Sequence, residues 1–168
     1  MHKVEVSELI ESDRNCVFDL LQDDQAMKYL GPRRALTDDE FEQWFFHELE
    51  TPSRFAFRHI ATKEFVGFCG LKEIDGELDF GYLIRSKYWG KGLAKVICNM
   101  AIEKLSPTTD FSQVKAFIAS DNIVSIKVAQ SLGWQLKCKT YNEFEAGYLY
   151  QIRVCRSVNG RKTVLNVV

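Results

Sequence analysis

The chain has 168 residues, 46% of them hydrophobic and 27% charged, with a formal net charge of -1. That length suits one domain of ordinary size, and the composition excludes extensive disorder or a metal or disulfide needed merely to hold a core together. The near-neutral balance speaks against a dedicated nucleic-acid binder, and the longest apolar runs fall far short of a membrane span. Five dispersed cysteines, Cys16, Cys69, Cys98, Cys138 and Cys155, contain no C-x-x-C pair. With nothing at the N-terminus reading as a signal peptide, a cytoplasmic location is expected. His2, His47 and His59 share no metal-ligand spacing, so no metal site is expected either.

Val4, Val6 and Leu9 suggest a short first strand. From Asp13 to Leu30, Val17, Leu20, Leu21, Met27 and Leu30 fit one or two helices with a break near Asp23-Asp24, and Gly31-Pro32 ends that unit. Thr37 is a good helix cap with Glu40 three residues on, the spacing of a capping box. Phe41, Trp44, Phe45 and Leu49 then recur at helical intervals to about Glu50. Their aromatic weight suits a core face, with a substrate wall as the alternative. Two strands, Arg54–Ile60 and Phe65–Ile74, flank Ala61–Glu64, and Asp75-Gly76 turns the chain into a third, Glu77–Ile84. Short links between consecutive strands predict an antiparallel meander.

The periodicity changes at Gly92. Leu93, Val96, Ile97, Met100, Ala101 and Leu105 give a helix a broad apolar face. Val114–Ala119 reads as a strand, Asn122–Leu132 as a helix and Trp134–Tyr141 as a strand. A final strand is expected near Tyr148–Cys155, and Lys162–Val168 as an edge strand or packed tail. A meander leading into β-α-β-α-β predicts an α+β fold with a mixed sheet, one domain over 1–168 with 156–168 as an extension.

Tyr88-Trp89-Gly90-Lys91-Gly92-Leu93-Ala94 lies between a strand and a helix. Two glycines allow a tight turn and close backbone approach, while the helix start offers unsatisfied N–H groups and a positive dipole end to an anion. Lys87 and Lys91 add positive charge. The spacing is neither that of a nucleotide-triphosphate loop nor that of a dinucleotide fingerprint, and it comes late, after the meander.

Asp79-Phe80-Gly81-Tyr82-Leu83-Ile84, followed by Lys87 to Ala94, resembles the central strand and acetyl-CoA-binding loop of the GNAT acetyltransferase superfamily, in particular its RimJ/RimL-like N-acetyltransferase branch. The family usually has Gln or Arg where this chain has Lys87. A second block, Asn122 to Trp134, resembles the family's helix beside coenzyme A that ends in Gly-aromatic; Asn122 and Gly133 also suit plain helix caps. The early helices resemble those that shape the family's acceptor side, so the resemblance extends through about Cys155.

The resemblance implies a GNAT-like acyl-CoA N-acyltransferase fold, a mixed central sheet flanked by helices, with acetyl-CoA as cofactor. It implies that central strands splay to admit the pantetheine arm and that the Leu83 N–H polarises the thioester carbonyl. Ile84 and Arg85 would continue the cofactor wall. Lys87, Gly90, Lys91, Gly92, Leu93 and Ala94 would hold the pyrophosphate, with Asn122 and Ser125 beside the cofactor. Glu77 and Asp79 share one strand face, being two residues apart. Asp79 stands where RimJ/RimL-like relatives often carry a carboxylate near the acceptor amine, with Glu77 as helper; a solvent-facing polar strand is the alternative. The tyrosine often used as general acid falls at Ala129, which cannot donate. Ser125 is the nearest family-matched hydroxyl, and Tyr82 is a second candidate. The expected substrate is a primary amine, a protein N-terminus or a small molecule, with no direct nucleic-acid or membrane partner and a homodimer as a further possibility. The competing expectation is an acyl-CoA-binding regulatory or interaction domain without transfer activity.

Overall fold

The computed structural model describes residues 3–158 and 161–164, with side chains described up to residue 154. His2, residues 165–168 of the expected terminal segment and the Cys155 side chain lie outside the described residues. The chain divides into two compact units, Met1–Leu71 with Gly81–Ala101, and Lys72–Phe80 with Ile102–Val168.

In the first unit β1 (Val4–Ser7), β2 (Phe55–His59) and the first part of β3 (Phe65–Ile74) pair in antiparallel sequence, with Val4 opposite His59 and Phe57 opposite Gly67. Leu9 lies past the end of β1 and packs against the core. The chain then makes a short 3-10 turn, Glu11–Asp13, into α1 (Arg14–Leu21). As the sequence expects, the helical stretch breaks at Asp23. Its carboxylate accepts from the Gln25 and Ala26 amides and so opens a new short helix, α2 (Asp24–Met27). The capping box forms as read: Thr37 Oγ1 accepts from Glu40 N at 3.3 Å and Glu40 accepts from Thr37 N at 2.8 Å, starting α3 (Asp38–Glu50).

The aromatic face of α3 is core. Phe41 and Phe45 are fully buried, stacked 5.5 Å apart, and pack with Val17, Leu20, Leu21 and Met27 of the preceding helices and with Phe65 and Phe68 of β3. Each such ring contributes about 1.5–3 kcal/mol by leaving water, so packing accounts for the aromatic weight; only Phe46 is well exposed. Two buried carboxylates hold the frame: Asp13 pairs with Arg58, and Glu48 accepts from the Ser53 amide at 2.7 Å and its hydroxyl at 2.8 Å. β4 (Glu77–Ile84) begins in the second unit and ends in the first, and α4 (Leu93–Leu105) follows.

In the second unit β4 starts parallel to β5 (Val114–Ala119), with Leu78 opposite Val114 and Asp79 opposite Lys115. After α5 (Ile123–Ser131), β6 (Gln135–Tyr141) and β7 (Ala146–Gln151) form an antiparallel hairpin, and β7 also pairs with β5. The hydrogen-bonded strand order is β1-β2-β3-β4-β5-β7-β6, a mixed sheet in an α+β fold. Phe80 is the hub of the unit, edge-on to Trp134 at 5.7 Å and to Phe111 at 6.5 Å.

β7 differs from its expected Tyr148–Cys155 bounds at both ends. Asn142 Oδ1 accepts from the Phe144 and Glu145 amides, closing a tight turn that lets pairing start at Ala146. Pairing stops at Gln151 because its partner, Gln135, is where β6 begins. Cys155 instead starts β8 (Cys155–Val158), paired with β9 (Arg161–Val164) as a separate two-stranded ribbon.

Candidate active site

In the first unit the segment from β4 to α4 is tied down from several directions. A 3-10 turn, Ser86–Tyr88, leads into Trp89, and α4 starts at Leu93. Gly90 and Gly92 have φ of 70° and 72°, the left-handed region that glycine enters without cost. A Cβ at either position would meet nothing within 4 Å, so the loop is open on that side. Because Gly92 has no side chain to cap α4, the amides of the first turn around Leu93 and Ala94 are suited to an external acceptor.

Glu64, just before β3, organises this segment. Its carboxylate accepts from Lys87 Nζ at 2.6 Å, Arg85 Nη1 at 2.7 Å and the Tyr88 hydroxyl at 2.9 Å. The Lys87 ammonium, with help from Arg85 and Tyr88, holds the Glu64 carboxyl down at about 2. Burial, and then the hydrogen bond to Glu64, push the Tyr88 phenol up to about 12. Trp89 Nε1 donates to the Ile84 carbonyl at 2.7 Å and Lys91 Nζ to the Lys87 carbonyl at 2.8 Å, while both ammonium groups lie over the Tyr88 ring. Arg85 is buried, and its guanidinium reaches Glu64, the Phe65 carbonyl and Asp19. That side chain therefore braces the strand end, and the contribution Arg85 can make to a cofactor wall is through its backbone. Lys87 is half exposed and anchored to Glu64; Lys91 is exposed on the loop.

Leu83 packs against the aromatic core and Ile84 is buried. Cys98, inside α4, is fully buried with its sulfur 3.9 Å from that of Cys69 on β3. Burial raises the Cys69 thiol, which keeps it protonated and packed.

In the second unit Glu77 is exposed and pairs with Lys115. Asp79 is half-buried, with Lys115 as its Cα partner across the parallel register. Glu77 and Lys115 also line a groove of about 480 Å³ together with Lys137, Tyr150 and Gln151. Asn122 caps α5, its Oδ1 accepting from Ser125 N at 3.2 Å, and Ser125 is half-buried. Ala129 is fully buried, and its methyl side chain has no proton to donate. The structure thus brings Leu83 to Ala94 into one braced segment, Glu77 and Asp79 onto one strand beside Lys115, and Asn122 onto Ser125. Glu64 was missed by sequence reading: it sits in a link between two strands, and no local pattern marks it. Among the described residues no cluster of three or more His, Cys, Asp or Glu side chains could hold a metal, and no helix is long and apolar enough to cross a membrane.

The acetyltransferase (GNAT) domain model matches residues 3–135. An uncharacterized N-acetyltransferase p20 from Bacillus licheniformis is 30% identical over 86 residues, 49% of this chain and 48% of that protein. The chain spans about half the length of the curated relatives it matches. Among solved structures, spermidine N-acetyltransferase from Vibrio cholerae in complex with CoA and spermine has a TM-score of 0.71 at 19% identity, covering 88% of this chain and 94% of that one. A GNAT-family acetyltransferase from Bacillus anthracis has a TM-score of 0.69 at 18% identity, covering 89% and 92%. The family match takes in both the glycine loop that opens α4 and the Asn122 cap, and on it the chain belongs to the acetyltransferase (GNAT) domain family.

Proposed function

We propose that the chain acts as one domain that transfers acetyl from acetyl-CoA to a primary amine. The observation that carries this reading is the loop: two left-handed glycines, open where a side chain would stand, lead into the start of a 13-residue helix on a segment fixed by Glu64. That is a suitable cradle for a pyrophosphate, with Gly90, Lys91, Gly92, Leu93 and Ala94 supplying backbone and Lys87 and Lys91 supplying charge. Acetyl-CoA supplies the activated thioester acyl group. The chain's own part is to bind it, orient its carbonyl against a backbone amide of the Leu83–Arg85 stretch, exclude water and handle protons. Asn122 and Ser125 are assigned to the same cofactor on the family resemblance, Ser125 also as a proton donor or water-positioning hydroxyl.

Asp79 takes the acceptor's proton, directly or through water, with Glu77 as electrostatic helper. The RimJ/RimL-like resemblance makes a protein N-terminal amine the first choice of acceptor. A small amine is the second, and the V. cholerae spermidine enzyme, whose fold this chain shares, puts polyamines into the test set. A cytoplasmic location fits both. The first experiment is thermal stability with acetyl-CoA, desulfo-CoA and unrelated nucleotides, because a ligand of the native state shifts the folding equilibrium. Selective stabilisation by the CoA compounds is expected, and no response to any acyl-CoA would refute the cofactor assignment. A mass-resolved screen over free-N-terminus peptides, polyamines and amino acids then identifies the acceptor. Tight CoA binding with no acetylated product across that panel would favour a regulatory acyl-CoA-binding domain.

A further inference from the structure

Lys137 is out of step with its strand. On β6, Gln135 stands opposite Gln151 and Leu136 opposite Tyr150, but the next pair is Cys138 with Leu149. Lys137 is therefore an extra residue with no opposite number on β7, a β-bulge. Side chains of a regular strand alternate between faces, and a bulge breaks the alternation and re-aims one of them. Here Lys137 lines the groove of about 480 Å³ in the second unit, while its neighbours Leu136 and Cys138 do not.

The groove carries a surplus of positive charge. Lys115 and Lys137 line it against one carboxylate, Glu77, which is already paired with Lys115. Lys137 is exposed and forms no ion pair among the described residues. Leu149 adds an apolar patch. Gln151 Nε2 donates to the Phe111 carbonyl at 2.7 Å, which fixes that amide and leaves its oxygen to accept from a chain lying alongside. Two ammonium groups repel a polycation, whereas a carboxylate complements them.

Reach narrows the occupant further. Asp79 is opposite Lys115; the next residue, Ala116, is opposite Tyr150, and Tyr150 is opposite Leu136, the neighbour of Lys137. Lys137 is thus within two residues of the straight line across the sheet from Asp79. The path crosses β4, β5, β7 and β6, three steps of about 4.8 Å, or roughly 14 Å. An extended chain covers that distance in about four residues. A free amino acid, whose amine and carboxylate share one carbon, cannot reach both ends.

Resting on the reading of the chain as an amine acetyltransferase with Asp79 at the acceptor, we infer that this groove receives the acceptor chain. Lys137 is the specificity-determining residue, and the acceptor is a peptide or protein N-terminus with an acidic side chain among its first four residues.

The test uses the full chain and free-N-terminus tetrapeptide amides with Glu at the second, third or fourth position, each beside its Gln counterpart. Spermidine is the polycationic comparison. Binding is read by NMR titration with and without CoA, and kcat and KM by thiol release from acetyl-CoA. At least one Glu peptide is expected to bind about 5-fold more tightly than its Gln counterpart at low salt, the preference shrinking as salt rises. Lys137→Glu should abolish the preference through KM with kcat unchanged, because the contact is remote from the reacting atoms. Lys137→Gln should do the same without reversing a charge. Lys139→Glu makes the same charge change on the same strand outside the groove, and should keep the preference. Equal affinities within every Glu and Gln pair, an equal loss in Lys139→Glu, or spermidine acetylated in preference to every peptide overturns the assignment. So does a dimer in sedimentation that Lys137→Glu dissociates, which gives the groove to a second copy. If no acyl-CoA binds, the acetyltransferase reading falls by itself; a Glu preference that Lys137→Glu removes still establishes the groove as an acidic-peptide site.

Discussion

Along β4 the first four residues and the last four meet opposite demands. Glu77 and Asp79 put carboxylates on one face beside Lys115, and what they can do chemically resides in side chains. Leu83 packs on the aromatic core and Ile84 is buried, so what they offer is backbone, and the Leu83 carbonyl oxygen stands where a side chain at Gly67 on β3 would be. A charge on a strand face announces itself in a sequence; a close approach of one backbone to another does not. Side-chain chemistry and backbone chemistry in one strand should therefore fail in different ways when each is altered.

Among the side-chain substitutions along this strand and its surroundings, the largest expected effect is at Asp79. Asp79→Asn is nearly isosteric and should lower kcat/KM for the correct acceptor about 10²-fold at neutral pH, the low end of what general acid–base catalysis contributes, with acetyl-CoA affinity unchanged. The defect should shrink at higher pH, where more of the acceptor amine is already neutral. A wild-type rate at subsaturating acceptor would remove Asp79 from the mechanism, and a large loss of cofactor affinity would assign it to architecture instead.

Next comes the loop. Gly92 has φ of 72°, and a β-branched residue there costs about 1–3 kcal/mol of strain. Gly92→Val should weaken acetyl-CoA binding roughly 10-fold, whereas Cys98→Ser, six positions on, inside α4 and buried against Cys69, should stay within about 3-fold provided it folds. Equal calorimetric affinities for wild type and Gly92→Val would reject the cradle.

Glu64→Gln keeps the shape of the hub and removes its charge. We expect the KM for acetyl-CoA to rise about 3-fold with kcat unchanged, because the segment carrying Lys87 loses its charge-assisted tether. Acid titration gives an independent reading. The Glu64 carboxyl is held at about 2 against an ordinary 4.5, a lowered folded-state value. Its contribution to stability is therefore complete above about 4.5 and is lost as pH falls toward 2. Denaturant midpoints between those limits should fall more steeply for wild type than for the Gln variant; parallel curves would show that the tether carries no stability. The smallest effect is at Glu77. Its ion pair with Lys115 is solvent-exposed, so Glu77→Gln should change kcat/KM less than about 2-fold. A loss matching that of Asp79→Asn would move the principal base along the strand.

The elements that could be read from the sequence were those punctuated locally. The Thr37–Glu40 capping box, the Asp75-Gly76 turn and the paired glycines before Leu93 each combine a residue type with a short spacing, and helix or strand bounds followed to within a residue or two. The C-terminal strands were harder because their ends depend on partners: β7 starts where the Asn142 turn allows and stops where β6 gives out. In the candidate site the loop and the carboxylates were legible for the same local reason. Glu64 and Gly67 were not. Glu64 meets its partners more than twenty positions along the chain, at Arg85, Lys87 and Tyr88. Gly67 reads as one more small residue in an apolar strand until the Leu83 carbonyl is found filling its place.

The thiols offer a built-in clock for local opening. Cys138 lies exposed on β6, Cys16 is half covered, and Cys69 and Cys98 are sealed against each other. A maleimide pulse should modify Cys138 within its ordinary solution time. Cys69 and Cys98 can react only when α4 lifts from β3, so their labelling half-life reports how often that contact breaks. If acetyl-CoA seats at the head of α4, adding it should slow the sealed pair and leave Cys138 unchanged, which would let an alkylating reagent and a mass spectrometer follow cofactor binding without an acceptor ever being identified.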